Sequence, residues 1–283
     1  MTRTTTDRTE WADLPEAVRT RVQEHTGRVL DSRPAGGDRS DITATLDTET
    51  GPVFIKGANG GIFARALRNE ANVTPHVAGI SPALLWRVET ENWIILGLDY
   101  VEGRHADYTP GSADLDLLRT TLSQLQQVPL PQQVTKGVER QYGGLEAIAG
   151  DNLLHTDLHA ENVLITPERA YLVDWAWACK GAPWAELAML AFRLMAAGHT
   201  IESAVAWGQS FPAWDDGEPL TAFVAANAQS WERAAQHDPQ DWKVRAADVA
   251  QQWADRRRSL YASDKRCACE DFEAPGSDGG SIP

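Results

Sequence analysis

Between residues 155 and 175 the chain reads His155-Thr156-Asp157-Leu158-His159-Ala160-Glu161-Asn162-Val163-Leu164-Ile165, and then Tyr171-Leu172-Val173-Asp174-Trp175. Asn162 follows Asp157 by five residues, and Asp174 follows Asn162 by twelve. The intervening residues read as a loop, a strand, a turn at Pro167 and a second strand. An Asn on the loop facing an Asp at the end of that hairpin can hold a divalent cation between hard oxygens. Asp157 is then left to orient a substrate hydroxyl and accept its proton. These are the parts of a phosphoryl-transfer site, where positioning and charge neutralisation do most of the work.

The elements upstream must then supply a phosphate cradle. Gly36-Gly37-Asp38-Arg39-Ser40 lies between strand-like segments 31–35 and 41–47, and a third strand, 52–56, ends on Val53-Phe54-Ile55-Lys56. Glycines Gly36 and Gly37 let backbone N–H groups approach phosphate oxygens, although Gly-Gly between strands is also an ordinary hairpin turn. Lys56 is one of only five lysines against 21 arginines. Read alone, it points to solvent, and read with the downstream motif it meets nucleotide phosphates. Glu70 sits on a helix expected over 63–78; it is either a solvated acid or the partner that holds Lys56. Strands follow at 83–88 and 93–98. The stretch Asp99-Tyr100-Val101 then offers backbone groups to an adenine edge, or is merely a strand end.

Helical spacing is expected over 11–29 before these strands and, after them, over 113–127, 144–149, 184–197, 201–209, 220–236 and 241–261. The organisation this predicts is a tail at 1–10, a nucleotide-binding part at 11–98, a linker at 99–103, a helical part at 104–263 and a disordered tail at 264–283. The last is rich in Gly, Ser, Pro and acid and carries Cys267 and Cys269, which lack the Cys/His partners of a zinc site.

Composition narrows the class. A net charge of −14 disfavours nucleic acid and membrane surfaces and suits cationic ligands, or simply keeps the chain soluble. The N-terminus has no apolar secretory core, no apolar run reaches about 20 residues, and the three cysteines make no disulfide framework, so a cytoplasmic location is expected. No obligate protein partner is indicated. The chain contains no G-x-x-x-x-G-K-[ST], which excludes a P-loop enzyme.

The pattern H-x-D-L-x-x-x-N followed by a strand-borne Asp matches the protein-kinase catalytic signature, with Trp175-Ala176 in place of Phe-Gly. Taken with F-I-K at Lys56, R-N-E at Glu70, L-D-Y-V-E-G-R at 98–104 and W-A-E-L-A at 184–188, the chain resembles the aminoglycoside phosphotransferase family of small-molecule kinases. The resemblance runs from about residue 30 to 200. It implies an α+β, two-lobed protein-kinase-like fold: a five-stranded antiparallel N-lobe sheet with one helix, and a mostly helical C-lobe. It further implies Asp157 as the catalytic base, and Asn162 and Asp174 as Mg²⁺ ligands. Lys56, Glu70, Gly36, Gly37, Ser40, Asp99, Tyr100 and Val101 fall around ATP, with GTP the alternative donor. His155 and Glu186 are implied as structural support, and His159 as a shaper of the loop. Thr156 stands where the family often has Gly, and Glu186 stands where it has the shorter Asp.

The acceptor is less legible. Asp215, Asp216 and Glu218 form an acidic turn that either holds amines of a substrate or is a solvated loop. Trp175, Trp177, Trp184, Trp207 and Trp214 are each core residues or pocket walls; Trp175 and Trp177 are the first candidates to line the pocket. The expected activity is ATP-dependent O-phosphorylation of a small hydroxylated, cationic molecule such as an aminoglycoside antibiotic. The alternatives are a metabolic kinase for choline, an amino alcohol or a sugar, and a catalytically silent nucleotide-binding protein.

Overall fold

The computed structural model describes residues 8–36, 40–90 and 92–270. The chain divides into two compact units, residues 1–214 and 215–283.

The first unit opens with a 3₁₀ turn, Trp11–Asp13, and helix α1 (Glu16–Thr26). The helical spacing over 11–29 narrows to α1: Pro15, suited to a helix start, stands directly ahead of its first residue, and Gly27, at φ 66°, ends it. Five strands follow: β1 (Val29–Pro34), β2 (Ile42–Thr48), β3 (Gly51–Asn59), and, after helix α2 (Gly61–Val73), β4 (Leu84–Glu89) and β5 (Trp93–Asp99). They form one sheet in the order β1-β2-β3-β5-β4, antiparallel throughout. This is the expected fold class, with both expected helices accounted for. Leu14, Val18 and Val22 of the α1 region pack on Leu46, Val53 and Ile55, one face of the sheet. Leu67 and Ala71 of α2 pack on Ala58, Ile94 and Leu96, the other face. Alternation along β3 therefore directs Ile55 toward α1 and Lys56 toward α2.

Short strands and helices complete the unit: β6 (Arg104–His105), α3 (Asp114–Leu125), β7 (Asn152–Leu154), β8 (Val163–Ile165), β9 (Ala170–Leu172), β10 (Cys179–Gly181), α4 (Pro183–Ala196) and α5 (Ile201–Gln209). The expected hairpin is β8–β9, with Val163 opposite Leu172. β6 extends it on the other side, and β7 pairs with β10. The helix expected at 144–149 is only a 3₁₀ turn, Glu146–Ile148. Gly143 and Gly144 ahead of it take φ of 70° and 86°, outside right-handed helix geometry. Helix α4 is buried around most of its circumference, Trp184 included.

The second unit holds α6 (Glu218–His237) and α7 (Asp241–Glu270). Leu220, Phe223 and Val224 of α6, and Ala250, Trp253 and Ala254 of α7, are buried. Helix α7 runs beyond the expected end at Tyr261. The side chains of Cys267 and Cys269 and all of 271–283 lie outside the described residues.

Candidate active site

Lys56 is the hinge of the site. Its Nζ lies 3.0 and 3.1 Å from the two carboxylate oxygens of Glu70 and 3.3 Å from Asp174 Oδ1. Burial works against the Lys56 ammonium, but the charges of Glu70 and Asp174 outweigh it and hold the group above its ordinary pKa. Burial also pushes the Glu70 carboxyl up, against the pull of Lys56. The two tendencies oppose each other. The contact of Nζ with both oxygens fits an ionised carboxylate, so the pair is read as ionic. Asn69, next to Glu70, turns its amide to the carbonyls of Ala176 and Ala178, at 3.1 and 3.3 Å, so α2 also holds the segment after Asp174.

That segment is bent sharply. Asp174 has φ 68° and ψ 64°, in the left-handed region, and Thr156 has φ 68°. They are the two non-glycine residues with positive φ among the described residues. Such conformations cost of order 1 kcal/mol or more and persist where surrounding contacts enforce them. The contacts here are specific: Thr156 Oγ1 donates to Trp177 O at 3.0 Å, and Thr156 N–H donates to Glu186 Oε1 at 3.1 Å. A glycine would take this conformation without strain, and Thr156 holds it through those bonds.

Glu186, on α4, accepts the N–H groups of both His155 and Thr156. Burial drives its carboxyl up to about 7, against these two bonds and the charge of Arg193. The longer Glu thus fills the bracing position beneath the loop. His155 is fully buried, and burial holds its pKa low. Asp157 N–H lies 3.3 Å from Nδ1, which must accept, so the neutral ring carries its proton on Nε2 and donates to Val173 O at 2.9 Å. The loop is thereby tied to the strand that ends in Asp174.

Asn162 Nδ2 donates to Asp157 O at 2.8 Å, and Val173 N–H donates to Asn162 O at 2.9 Å. The β8–β9 register thus puts Asn162 beside the Val173–Asp174 step. The amide's nitrogen is committed to the loop and its oxygen stays a ligand candidate. Among the described residues no cluster of three or more His, Cys, Asp or Glu could hold a metal. One carboxylate and one amide oxygen nevertheless suit Mg²⁺, a hard cation that would take them as oxygen ligands and would offset phosphate charge.

Asp157 is half-buried and meets two donors: His159, expected as a shaper of the loop, and Arg193, which sequence reasoning passed over. Arg193 Nη2 lies 3.2 Å and His159 Nε2 3.1 Å from Asp157 Oδ1. Burial opposes ionisation of Asp157, but the hydrogen bond from His159 and the charge of Arg193 bring its carboxyl down to about 2. In the sequence Arg193 only interrupts an apolar run. A lone Arg in a helix buried on most sides was the available signal. Tyr108 Oη, donating to Leu158 O at 3.3 Å, is a further support the sequence did not suggest.

The remaining candidates are placed as follows. Asp99 N–H is taken by Ala83 O at 2.8 Å, while Tyr100 and Val101 are half-buried past the end of β5. Ser40 is buried and Gly36 exposed, with open space where a Cβ would stand; Gly37 lies outside the described residues. Trp175, a first candidate to line the acceptor pocket, is fully buried, donates to Leu172 O at 3.1 Å and meets His155 edge to face. It belongs to the core under the loop because it has no surface to offer a ligand. Trp177 is half-buried. In the second unit Asp215 accepts Gly217 N–H at 2.6 Å, Asp216 lies 3.5 Å from Arg257, and exposed Glu218 begins α6, where a negative charge favours the helix.

The model of the phosphotransferase enzyme family matches residues 151–237. No curated protein matches the chain by sequence. Among solved structures, aminoglycoside phosphotransferase APH(4)-Ia superposes with a TM-score of 0.60 at 15% identity, covering 83% of this chain and 98% of that one. Choline kinase LicA from Streptococcus pneumoniae gives 0.57 at 14% identity, covering 84% and 98%. APH(4)-Ia has been solved as a ternary complex with AMP-PNP and hygromycin B, and LicA in complex with AMP. The chain thus carries the phosphotransferase family's match over residues 151–237, on the protein-kinase-like fold seen in aminoglycoside and choline kinases.

Proposed function

We propose that this protein is an ATP-dependent O-phosphotransferase that acts on a hydroxyl of a small molecule. The observation that carries the reading is the convergence on Lys56 of Glu70 and the metal-ligand candidate Asp174, with Asp157 braced on the neighbouring loop. A binding module needs no such full set. Lys56 binds the ATP phosphates, the backbone of Asp99 to Val101 meets the adenine, and Gly36 and Ser40 flank the segment that would cover the phosphates. Asn162 and Asp174 hold Mg²⁺, whose charge offsets that of the triphosphate. Asp157 orients the acceptor hydroxyl and takes up its proton as the oxygen–phosphorus bond forms and the bond to the ADP oxygen breaks.

The favoured acceptor is a cationic antibiotic such as an aminoglycoside. Trp177 is its candidate contact in the first unit, and the net charge of −14 is in keeping with a cation. A second reading, phosphorylation of choline or an amino alcohol, is favoured by the likeness in fold to LicA. A cytoplasmic location accords with the absence, among the described residues, of a helix long and apolar enough to cross a membrane. The test is incubation with Mg-ATP and a panel of aminoglycosides, choline, amino alcohols and sugars, read as a mass gain of one phosphoryl group. Asp157→Asn is expected to abolish transfer and leave ATP affinity nearly unchanged. Full activity in that variant would rule the mechanism out.

A further inference from the structure

The environment of Asp157 contains a closed three-membered arrangement that the phosphotransferase reading does not itself require. Arg193 Nη1 lies 2.8 Å from His159 Nδ1, Arg193 Nη2 lies 3.2 Å from Asp157 Oδ1, and His159 Nε2 lies 3.1 Å from the same oxygen. A guanidinium can only donate, so Nδ1 of His159 must accept. The ring proton then resides on Nε2, and Nε2–H donates to Asp157. One carboxylate oxygen is therefore held by two donors that also hold each other.

The two donors come from different elements. His159 lies on the loop two residues beyond Asp157, whereas Arg193 reaches in from the last turn of α4. A buried cation in an apolar helix is costly unless it is paired and hydrogen-bonded, and Arg193 is both. A salt bridge serving the fold alone would need only Arg193 and Asp157. The interposed neutral imidazole adds a second, directional bond, which restricts the rotation of the carboxylate. In phosphoryl transfer that orientation matters, because the acceptor oxygen must stand in line with the phosphorus.

We propose that Arg193 and His159 are positioning residues for phosphoryl transfer: Arg193 holds the Asp157 carboxylate both directly and through the Nε2–H tautomer of His159, and so fixes the orientation presented to the acceptor hydroxyl. The proposal rests on the function proposed above. Both residues act through Asp157 and neither touches the reacting atoms.

The decisive substitutions are at His159, whose side chain is 43% exposed. His159→Leu is expected to lower kcat about 10²-fold, the scale of a small misplacement of a catalytic group, with KM for ATP unchanged and the protein still folded. His159→Gln can donate to Asp157 while accepting from Arg193, and should recover most of that loss. Arg193→Lys keeps the charge without the two-pronged donor and should fall between them. Turnover is read on whichever panel member accepts phosphate, and on hydrolysis of Mg-ATP by water if none does. Independently of activity, nitrogen NMR of the histidine rings should find His159 as the Nε2–H tautomer. A ring protonated at Nδ1, or His159→Leu turning over at the rate of the intact protein, would overturn the proposal while leaving the phosphotransferase reading in place. An intact protein that transfers phosphate to neither acceptor nor water would overturn both.

Discussion

At the residue scale, the ion pair between Lys56 and Glu70 carries the greatest consequence. Both side chains are almost wholly removed from solvent, so replacing one strands the other. Removing one partner of a buried pair typically costs about 3–5 kcal/mol. Lys56→Met should therefore weaken ATP binding and also destabilise the fold by that amount near pH 8. The loss has a pH signature. Without its cation, buried Glu70 stays protonated to a higher pH than it would in the unfolded chain, so the folded variant binds the extra proton. Stability of the variant then falls as pH rises above the unfolded carboxyl value of 4.5, and the gap to the intact protein should be smaller at pH 5 than at pH 8. Paired urea titrations at the two pH values measure this, and an equal gap at both would show that Glu70 is not buried as described. Lys56 and Glu70 were legible in the sequence as members of an ordered set. Arg193 was not, since its role depends on the side of α4 that meets the loop, and periodicity cannot say which side that is when nearly every side is apolar.

At the scale of elements, the five-stranded sheet and the β8–β9 hairpin were legible because strand-like runs and the turn residues between them marked them. Strands β6, β7 and β10 span only two or three residues each, too few to show a period, yet β7, held by β10, leads into the 155–162 loop, and β6 pairs with β8, the strand that follows it. The expected helix at 144–149 failed for a related reason: the glycines that precede it carry positive φ, which a count of apolar residues does not register. Helix α4 shows how one element braces another. Its Glu186 receives two backbone N–H groups from the loop, in surroundings that raise its pKa from 4.5 to about 7. The unfolded chain releases this proton near pH 4.5 and the folded protein near pH 7. Between those values the folded state binds more protons, so this contribution to stability is present below about pH 4.5 and is lost as pH rises to 7. The magnitude is on the order of 3 kcal/mol. In Glu186→Gln the amide oxygen can still accept both N–H groups and does not titrate. The stability of this variant relative to the intact protein should therefore rise across pH 4.5 to 7 and level off above it, as read from thermal midpoints. A difference that does not vary with pH would mean that the N–H bonds and Arg193, not burial, govern Glu186.

At the scale of the whole molecule, a single sequence conveys the reaction better than the acceptor. Phosphoryl transfer needs a fixed set of groups at fixed spacing, whereas an acceptor is recognised by surfaces that differ with each substrate. Two of the acids suggested as amine-binding groups already have partners within the second unit, Asp215 with Gly217 N–H and Asp216 with Arg257, so their local charge is partly used. The chain as a whole still carries −14. A field of that sign raises the encounter rate of cations and is screened over about 10 Å at 0.1 M ionic strength. The two acceptor classes therefore separate by salt dependence. For a polycationic aminoglycoside, KM should rise several-fold between 0.01 and 0.1 M ionic strength, about 30 to 10 Å in screening length, while kcat holds steady. For a neutral sugar, KM should be flat over the same range, and for singly charged choline it should change only slightly. Because ATP is anionic and would respond in the opposite sense, the series must be run at saturating Mg-ATP. A salt-independent KM for the preferred acceptor would show that net charge plays no part in its selection, and would turn the search toward neutral hydroxyl compounds.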